Sequence, residues 1–544
     1  IFNSCILGAD RTEALLEQFD TLLQRILREP GTKMKDLRTQ LSPEWQQLAA
    51  INKKSPSHLR CLHDIINHFS ITQPNSEAVC AWDGSLTYSE LVALARRLAG
   101  LLQSFGSGSE PGAVIGICVE RSKWFPVAIL GVMMSGAAMV LLEPNFPTQR
   151  LRHILRDAGA RTMICSTVFQ EKCAGLVDDM LILTHDIVTQ ADYDAWTPSA
   201  VSHHDPMYVA FTSGSTGAPK GVVIEHGMVY SMLKAHKDII GASIASRGLL
   251  FASPAFDICL AEIVLILCSG GCVCVPSEAQ RMNSLAKTMT TMQVNMAMLT
   301  PSVARTLAPA AIPCLQTLIL GGEAPSASDL ETWASRVKLH QSYGPAECAM
   351  YTTTTHPLTS SSDLGNVGSS QNASCWIVDP DNHDELQPVG SIGELLIGGP
   401  IVGRGYINRA QESAAAFICD PVWSENFPFL QGARLYKTGD LAILNADGSL
   451  NLVGRKDTQV KLNGQRIELH EIEHCAERYQ HGTAVIAELI KPVGIQRPRL
   501  IMFVYDPATV ETTVGIDSTC HYHRGLFLPP SRQNQAYLEG VRDH

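Results

Sequence analysis

The spacing of hydrophobic and polar positions changes along this chain, and each pattern predicts a different kind of structure. Near the start, apolar residues recur at helical spacing over residues 12–28, and the segment REPGTK ends the pattern. We therefore expect an amphipathic helix that packs on a neighbouring domain. It would lie in an interdomain linker covering residues 1–55.

From about Leu59 the pattern predicts helices and strands in alternation, such as the strand AVIGICV, the helix LRHILRDAGA and the strand RTMICS. Alternation of this kind is typical of mostly parallel sheets covered by helices. Residues 124–142 carry no charge and are nearly numerous enough to cross a bilayer. Pro126, Gly131 and Gly136 divide this segment, so we interpret it as a buried helix followed by a buried strand.

After about Gly365 the pattern changes to short strands separated by turns, with an Asp-Gly hairpin signal at residues 447–448. The whole pattern predicts an α/β fold. We expect a β-rich subdomain in the region after about Gly365.

Composition limits the function. A chain of 544 residues is too long for one ordinary hydrophobic core, so two or more domains are expected. A formal net charge of -11 with no basic cluster argues against nucleic acid as a partner. The 16 cysteines show no zinc-ribbon spacing and are interpreted as reduced thiols of a cytoplasmic protein. The chain begins at Ile1 without a basic and apolar leader, so we expect a piece of a longer protein that is not attached to a membrane.

The segment FTSGSTGAPKG, residues 211–221, is too rich in Gly, Ser and Thr to pack a core. Glycines let backbone N–H groups face a ligand, hydroxyls add donors, and Lys220 adds a positive charge, so the segment suits phosphate oxygens. It lacks the spacing of a Walker A loop. A solvated surface turn is the alternative for this segment taken alone.

Three further segments follow in order: QSYGPAE, YKTGDLA and GRKDTQVKLNGQRIE. Together with the loop they resemble the adenylate-forming superfamily of acyl-CoA synthetases, luciferases and peptide synthetase adenylation domains. FDICLAEI, GELLIGGPIVGRGYINR and VKLNGQRIELHEIE are most similar to nonribosomal peptide synthetase adenylation domains, and the linkers are similar to fungal ones. The resemblance covers roughly residues 59–505, and four ordered motifs are far more specific than one Gly-rich loop. It implies a large N-terminal core over residues 56–455, with two α/β subdomains and a β-rich subdomain, and a small α+β C-terminal domain over residues 456–544.

The resemblance implies ATP and Mg²⁺ as cofactors. Lys220 and the loop would cover the β and γ phosphates, Tyr343 would stack on adenine, and Glu347 would hold Mg²⁺. Asp440 would accept hydrogen bonds from the ribose, and Arg455 would approach the nucleotide. A core role for Tyr343 and a structural salt bridge for Arg455 are the alternatives. The full set of implied nucleotide-binding residues is Thr212, Ser213, Gly214, Ser215, Thr216, Gly217, Gly322, Tyr343, Gly344, Asp440 and Arg455.

The implied reaction forms an acyl-AMP and pyrophosphate, and a phosphopantetheine thiol on a carrier protein then takes the acyl group. Asp457 matches the hinge of the small domain, and Gly464 lies in the loop that rotation brings to the thiol. Lys461 would contact the nucleotide or the carrier. The implied catalytic residues are Lys220, Glu347 and Lys461. Carrier and condensation domains of the same synthetase are the implied partners. The family's C-terminal catalytic lysine has no match here, so we expect an incomplete C-terminal domain.

The resemblance also implies an amino acid substrate, because Asp257 matches the aspartate that pairs with an α-ammonium group. Uncharged residues would form the pocket walls: Ile258, Ala261, Met298, Ile319, Gly321, Ser342, Met350 and Tyr351. A charged substrate side chain would stay unpaired there. We therefore expect a large uncharged amino acid, such as the N5-acyl-N5-hydroxyornithine of a hydroxamate siderophore synthetase. A long aliphatic or aromatic amino acid also fits these walls.

Two functions of other classes remain open. A carrier-free acyl-CoA ligase shares the nucleotide motifs but normally lacks an aspartate that meets an amino group. A non-catalytic nucleotide-binding module would keep the fold and lose the metal or phosphate groups. ATP–pyrophosphate exchange with amino acids and then fatty acids distinguishes all three.

Overall fold

The structure of the protein is a computed structural model. It describes residues 9–31, 42–53, 59–104, 112–190, 196–197, 201–213, 219–462, 464–470, 472–473, 476, 484–490 and 499–505. The α-helices in these ranges are α1 (Ala9–Arg28), α2 (Ser42–Asn52), α3 (Leu62–Thr72), α4 (Tyr88–Ser104), α5 (Trp124–Ser135), α6 (Thr148–Asp157), α7 (Gln170–Cys173), α8 (His185–Gln190), α9 (His226–Ile240), α10 (Ile258–Leu267), α11 (Glu278–Asn283), α12 (Leu285–Thr291), α13 (Pro301–Ala304), α14 (Ala327–Trp333) and α15 (Ala410–Ala416).

The strands of the described residues come from every part of the chain after residue 76. They are β1 (Glu77–Ala81), β2 (Gly84–Thr87), β3 (Val114–Cys118), β4 (Ala138–Leu141), β5 (Thr162–Ser166), β6 (Asp179–Leu183), β7 (Pro206–Thr212), β8 (Lys220–Glu225), β9 (Arg247–Leu249), β10 (Cys272–Val275), β11 (Met296–Leu299), β12 (Thr317–Leu320), β13 (Lys338–Tyr343), β14 (Thr353–Thr354), β15 (Asn366–Ser369), β16 (Ser374–Val378), β17 (Ile392–Gly398), β18 (Phe417–Cys419), β19 (Arg434–Leu444), β20 (Ser449–Arg455), β21 (Gln459–Leu462), β22 (Gln465–Glu468), β23 (Ala484–Ile490) and β24 (Arg499–Tyr505).

Two large sheets form the core, as the alternating pattern predicts. One has six strands in the order β6-β5-β3-β4-β7-β8, parallel except for the β7–β8 pair. The other has fourteen strands, and its β9 to β13 portion is parallel. The α/β prediction is confirmed, and the boundaries placed at residues 55 and 455 stay predictions.

The β-rich region is joined to one of the α/β sheets. Strand β13 pairs in parallel with β12 on one side and antiparallel with β14 on the other. From there the sheet continues through β15, β20, β19, β17 and β16. Strand periodicity cannot show that one strand serves both regions, because pairing partners are far apart along the chain.

The long uncharged segment folds as a buried helix and a buried strand. In α5, every residue from Phe125 to Ser135 is buried, and the helix ends at Gly136 with φ of 95°. A left-handed residue of this kind is a usual helix C-terminus, and glycine adopts it without a steric cost. Strand β4 follows directly. Among the described residues, no helix has the length and apolar character that a bilayer span requires.

The amphipathic helix predicted near the start is α1. Its side chains Leu16, Phe19 and Leu27 are 63%, 64% and 73% exposed. Its packing on a neighbouring domain therefore stays a prediction. Beyond residue 455, the described residues form two antiparallel pairs, β21 with β22 and β23 with β24.

Candidate functional site

The glycine- and hydroxyl-rich loop connects two antiparallel strands. Strands β7 and β8 pair with Thr212 opposite Lys220, and the Thr212 hydroxyl lies 3.5 Å from the Lys220 carbonyl oxygen. Ser213 is the last described residue before the loop. Gly214, Ser215, Thr216 and Gly217 lie outside the described residues. The loop therefore spans a hairpin, whereas a Walker A loop leads from a strand into a helix.

Lys220 at the base of this hairpin lies near an aromatic ring whose hydroxyl contacts a buried carboxylate. Its Nζ is 5.6 Å from the centroid of the Tyr406 ring, and the Tyr406 hydroxyl donates to Glu347 Oε1 over 2.9 Å. Glu347 is fully buried. The structure thus brings the predicted phosphate lysine and the predicted metal ligand to the same aromatic side chain. A buried carboxylate is costly unless hydrogen bonds or a cation compensate it.

Sequence reasoning assigned no role to Tyr406. This residue belongs to the segment GELLIGGPIVGRGYINR, which carried part of the family resemblance. Residue 406 also forms an isolated antiparallel bridge with Val222 of β8. The sequence motif therefore contained Tyr406, but only the folded structure shows that the Tyr406 hydroxyl reaches Glu347.

The predicted nucleotide residues from distant segments meet at the β13 and β19 strands. The Tyr343 hydroxyl donates to Asp440 Oδ2 over 2.5 Å, and Arg455 Nη1 donates to Asp440 Oδ1 over 2.7 Å. Burial, followed by the charge of Asp440, raises the pKa of Tyr343 well above its usual value. The Tyr343 hydroxyl therefore keeps its proton for this hydrogen bond. Arg455 forms a salt bridge with Asp440, which is the alternative role considered for it. Through Asp440 it is linked to Tyr343.

Arg455 also contacts the predicted hinge. Its Nε and Nη2 donate to the two carboxylate oxygens of Asp457, each over 2.6 Å. The neighbouring Lys456 places its Nζ 2.5 Å from Oε2 of Glu394, a buried carboxylate that also accepts the Gly439 N–H. Ion pairs therefore hold both Arg455, the last residue of β20, and Lys456, the residue that follows it.

The predicted ammonium ligand lies at the start of α10. Asp257 directly precedes this helix, and its Oδ2 is shielded from solvent without a hydrogen-bond partner among the described residues. Burial, and second the carboxylate of Glu347, raise the pKa of Asp257 to about 6. Both causes penalise the negative charge, so a cation beside this oxygen would stabilise it.

The predicted pocket walls come from neighbouring elements. Ile258 and Ala261 lie on α10, Met298 and Ile319 are paired across β11 and β12, and Ser342 lies on β13. Gly321 follows β12, and a Cβ built there would be 3.4 Å from the Ser342 carbonyl oxygen. Because β11, β12 and β13 are parallel, their carboxyl ends meet at one edge of the sheet, where α/β proteins commonly bind ligands.

Two wall residues follow a tight turn after β13. Met350 has φ of 78°, a strained conformation for a residue with a side chain, and a Cβ on Gly344 would approach the Met350 carbonyl oxygen to 2.2 Å. Gly344 is therefore required by this turn. The Tyr351 hydroxyl lies 2.8 Å from Met298 Sδ, which closes the pocket between β11 and the turn.

Two buried polar residues beside the pocket were missed. The His236 ring packs edge-on against the Tyr351 ring at 5.9 Å, and its buried Nδ1 has no partner in the described structure. Glu262 Oε2 accepts the N–H groups of Phe251 and Ala252, and burial raises the pKa of Glu262 to about 8. Glu262 lies within the segment FDICLAEI, one position after the wall residue Ala261, so a signal for it was available.

The hairpin β21–β22 contacts the core near this pocket. Gly464, in its turn, has φ of 76°, and a Cβ there would lie 2.5 Å from Thr300 Cγ2. A Cβ on Gly322 would lie 3.4 Å from the Gly464 Cα. Lys461 is on β21, but its side chain lies outside the described residues. The structure therefore brings two predicted glycines, 142 positions apart, into contact.

Comparison with known proteins gives the class that this site belongs to. The family model described as AMP-binding enzyme matches residues 68–407, more than half of the chain. The chain belongs to this family, and the predicted class, an ATP-dependent adenylating ligase domain similar to those of peptide synthetases, is confirmed.

The most similar curated proteins include two fungal synthetases. Nonribosomal peptide synthetase atnA of Emericella nidulans is 39% identical over 521 residues, which cover 95% of this chain and 7% of that protein. Nonribosomal peptide synthetase rstn8 of Penicillium ochrochloron is 40% identical over 496 residues, which cover 90% of this chain and 25% of that protein. This chain therefore spans a quarter or less of the length of these two relatives.

Solved structures share the fold. An artificially fused adenylation and PCP di-domain from Klebsiella oxytoca has a TM-score of 0.72 at 24% identity, covering 83% of this chain and 89% of that one. A four-domain nonribosomal peptide synthetase bound to AMP and glycine has a TM-score of 0.71 at 26% identity, covering 91% of this chain and 37% of that one.

Proposed function

We propose that this chain selects an amino acid, joins its carboxylate to AMP, and passes the acyl group to a carrier protein. The observation that carries this proposal is the buried Oδ2 of Asp257, which has no partner among the described residues. An α-ammonium group would supply the missing positive charge and donor. A fatty acid offers neither, so the site favours an amino acid over the substrate of an acyl-CoA ligase.

In the first step, a carboxylate oxygen of the amino acid attacks the α-phosphorus of ATP and pyrophosphate leaves. Lys220 would hold the leaving phosphates, while Tyr343, Asp440 and Arg455 would hold the nucleoside. The residues fit Mg²⁺ at Glu347, because magnesium takes one or two carboxylates together with the nucleotide's own oxygens. When bound there, Mg²⁺ would neutralise charge on the phosphates. The chain's contribution is mainly positioning and charge stabilisation.

In the second step, the sulfur of a phosphopantetheine thiol attacks the carbonyl carbon, AMP leaves, and the thiol proton passes to solvent. The contact between Gly464 and the core near the pocket supports a role for this hairpin at the thiol. Lys461 on the same hairpin would contact the nucleotide or the carrier. Asp457 would be the hinge, released when its pair with Arg455 breaks. Carrier and condensation domains of one synthetase are the proposed partners, as the names of the relatives suggest.

The proposed substrate is large and uncharged, and N5-acyl-N5-hydroxyornithine of a siderophore pathway is the specific candidate. The apolar walls and small Ala261 and Gly321 support the size and the neutral character. We also propose a cytoplasmic location, because the described cysteines are free thiols.

ATP–pyrophosphate exchange tests this function. We expect exchange with large uncharged amino acids, and no exchange with fatty acids. Strongest exchange with ornithine, arginine or glutamate would contradict the neutral pocket. Exchange with fatty acids alone would favour the ligase alternative, and no exchange with either class would favour a binding module. Full amino-acid-dependent exchange by Asp257→Ala would contradict the ammonium assignment.

A further inference from the structure

A second cluster of reactive side chains lies at the start of α3, apart from the nucleotide and substrate residues. Cys61 Sγ, a ring nitrogen of His63 and a carboxylate oxygen of Asp64 all lie within 4.8 Å of one another. His63 Nε2 is 3.7 Å from Asp64 Oδ1. In the described part of the chain, no other three His, Cys, Asp or Glu residues come this close together. Nothing in the proposed reaction uses them.

Local backbone geometry brings these three groups together. Cys61 is extended, with φ of -77° and ψ of 140°, and α3 begins directly after it. His63 and Asp64 are the second and third residues of the helix, so their side chains project from the first turn near the thiol. Cys61 is buried and Asp64 is exposed. An ion held between them would therefore contact the thiol on its buried side and would enter from solvent on the side of Asp64.

The His63 ring has no hydrogen bond from the described residues. Its Nδ1 is buried without a partner, its Nε2 is 3.7 Å from Asp64 Oδ1, beyond a hydrogen bond, and the ring packs edge-on against the His226 ring at 5.5 Å. Buried imidazole nitrogens normally have a partner, and a metal ion or a water molecule would satisfy this ring. A neutral imidazole nitrogen is a common metal ligand.

Two residues of the cluster, Cys61 and Asp64, open into a cleft of about 400 Å³, and His63 lies next to them in sequence outside its lining. Cys61 and Asp64 line one side of it, and Val201 and His203 line the other. The Cys61 thiol donates to the Val201 carbonyl oxygen over 3.4 Å, which already joins the two sides. His203 is the imidazole in this lining that could provide a fourth ligand. Arg60 also lines the cleft, but it is exposed and can turn into solvent.

We propose that Cys61, His63 and Asp64 bind a divalent transition-metal ion of the Zn²⁺ type, with a fourth position open to water or His203. Thiolate, imidazole and carboxylate are the three ligand types that proteins offer to zinc, in a tetrahedral arrangement. Magnesium and calcium prefer oxygen ligands alone, so this site differs in kind from the one proposed at Glu347. Tetrahedral zinc places its ligand atoms roughly 3.3–3.5 Å apart, so side chains whose ligand atoms lie within 4.8 Å of one another would have to turn toward the ion.

The ion would have a structural effect. If His203 takes the fourth position, the ion would join the start of α3 to residues 201–203 in place of the thiol's hydrogen bond to Val201, and that segment leads into β7 and the glycine-rich loop. Because binding needs the folded arrangement of all three ligands, the ion would stabilise the folded protein over the unfolded chain.

Cobalt substitution tests the site, because a thiolate bound to Co²⁺ gives a charge-transfer absorption that oxygen and nitrogen ligands do not. We expect the purified full chain to bind one equivalent of Co²⁺ with this absorption, and Zn²⁺ to displace it. Cys61→Ser should lose the absorption. Cys419→Ser, which changes an exposed cysteine, should keep it. Absence of the absorption in the wild type, its survival in Cys61→Ser or its loss in Cys419→Ser would overturn the proposal.

A second variant guards against misfolding of Cys61→Ser. Asp64 is exposed, so Asp64→Asn should leave the fold intact. We expect it to weaken Zn²⁺ binding by more than the ~10-fold that is typical for an outer-shell partner. The melting temperature of the wild type should rise with added Zn²⁺ and fall with a chelator, and Asp64→Asn should respond less. Equal Zn²⁺ affinity in both proteins would contradict the assignment.

Discussion

Gly464 of the small C-terminal hairpin lies against Gly322 of the core, so closely that a Cβ on Gly322 would be 3.4 Å from the Gly464 Cα. Gly322 follows β12 and is next to the pocket residue Gly321. The hairpin turn therefore reaches the edge of the sheet where the substrate residues lie. A Cβ on Gly464 would meet Thr300 Cγ2 of the core at 2.5 Å and would push the hairpin away from this edge.

This contact predicts that Gly464→Ala slows carrier loading by ~10-fold or more and leaves ATP–pyrophosphate exchange nearly unchanged. The new Cβ would meet Thr300 Cγ2 at 2.5 Å and would strain a residue whose φ is 76°. Loading is measured with a labelled amino acid and the holo carrier protein, and exchange is measured on the same preparation. Equal losses in both assays would show that the hairpin does not act in the second step alone.

Two control variants distinguish the effect of the contact between Gly464 and Thr300 from the effect of backbone strain at Gly464. Gly432→Ala introduces a side chain at φ of 70° in open space, so it should cost stability without slowing loading. Thr300→Ser removes the clashing methyl group and keeps the hydroxyl that accepts the Val303 N–H. Combined with Gly464→Ala, it should restore part of the loading rate. No recovery in the double variant would contradict a contact effect.

Glu347→Gln should lower exchange by ~100-fold, which is about 2.7 kcal/mol of transition-state stabilisation. The neutral amide keeps the volume and can still meet the Tyr406 hydroxyl, but it no longer attracts a cation. Tyr406→Phe is the matched variant, because it removes only the hydrogen bond to Glu347 and should cost much less. Near-normal exchange by Glu347→Gln, with an unchanged melting profile, would refute the metal assignment.

The raised pKa of Asp257, about 6, predicts the pH dependence of amino acid recognition. As the pH falls through 6, the carboxyl becomes protonated and loses its attraction for the ammonium group. The kcat/KM for the amino acid should therefore fall by ~10-fold between pH 7 and pH 5, because this parameter reports ionisations of the free enzyme. The kcat/KM for ATP at saturating amino acid is the control. A flat profile for the amino acid would contradict the assignment.

The same pKa predicts that Asp257→Asn stabilises the ligand-free protein at pH 7. The folded pKa of about 6 lies above the usual value of 3.8, so the carboxylate charge opposes folding. This cost is absent below about pH 4, grows as the pH rises, and is complete above pH 6, where it reaches up to about 3 kcal/mol. Denaturant unfolding at pH 4 and pH 7 measures it. Equal stability of wild type and variant at pH 7 would argue against a buried, unpaired Asp257.

Asp440→Ala should raise the KM for ATP by ~10- to 100-fold, the range expected when a hydrogen bond to a charged group is lost. It removes the shared partner of Tyr343 and Arg455 and should leave the KM for the amino acid unchanged. Asp329→Ala is a matched control, because Arg305 contacts Asp329 through two hydrogen bonds of 2.8 and 2.6 Å, and neither residue belongs to the predicted nucleotide set. That variant should lower stability only. An unchanged KM for ATP in Asp440→Ala would refute the ribose assignment.

The sequence by itself determined the fold class and the candidate chemistry. Alternating patterns predicted the parallel sheets, and helical spacing predicted α1, because an amphipathic face depends on local periodicity. The buried α5 was predicted from an uncharged segment divided by Pro126, Gly131 and Gly136. Four ordered motifs named Lys220, Glu347, Asp440 and Arg455. The sequence also named the glycine-rich loop, of which the structure describes only the residues on either side.

Only the tertiary structure decided which of these residues meet. It joined Tyr343 to Asp440 across 97 positions, brought Lys220 and Glu347 to the same Tyr406 side chain, and left Oδ2 of Asp257 without a partner among the described residues. It also continued the parallel sheet into the β-rich region through β13. No local pattern contains such contacts, because strand pairing and side-chain packing depend on the path of the whole chain, and the pKa of a carboxyl depends on what that path buries beside it.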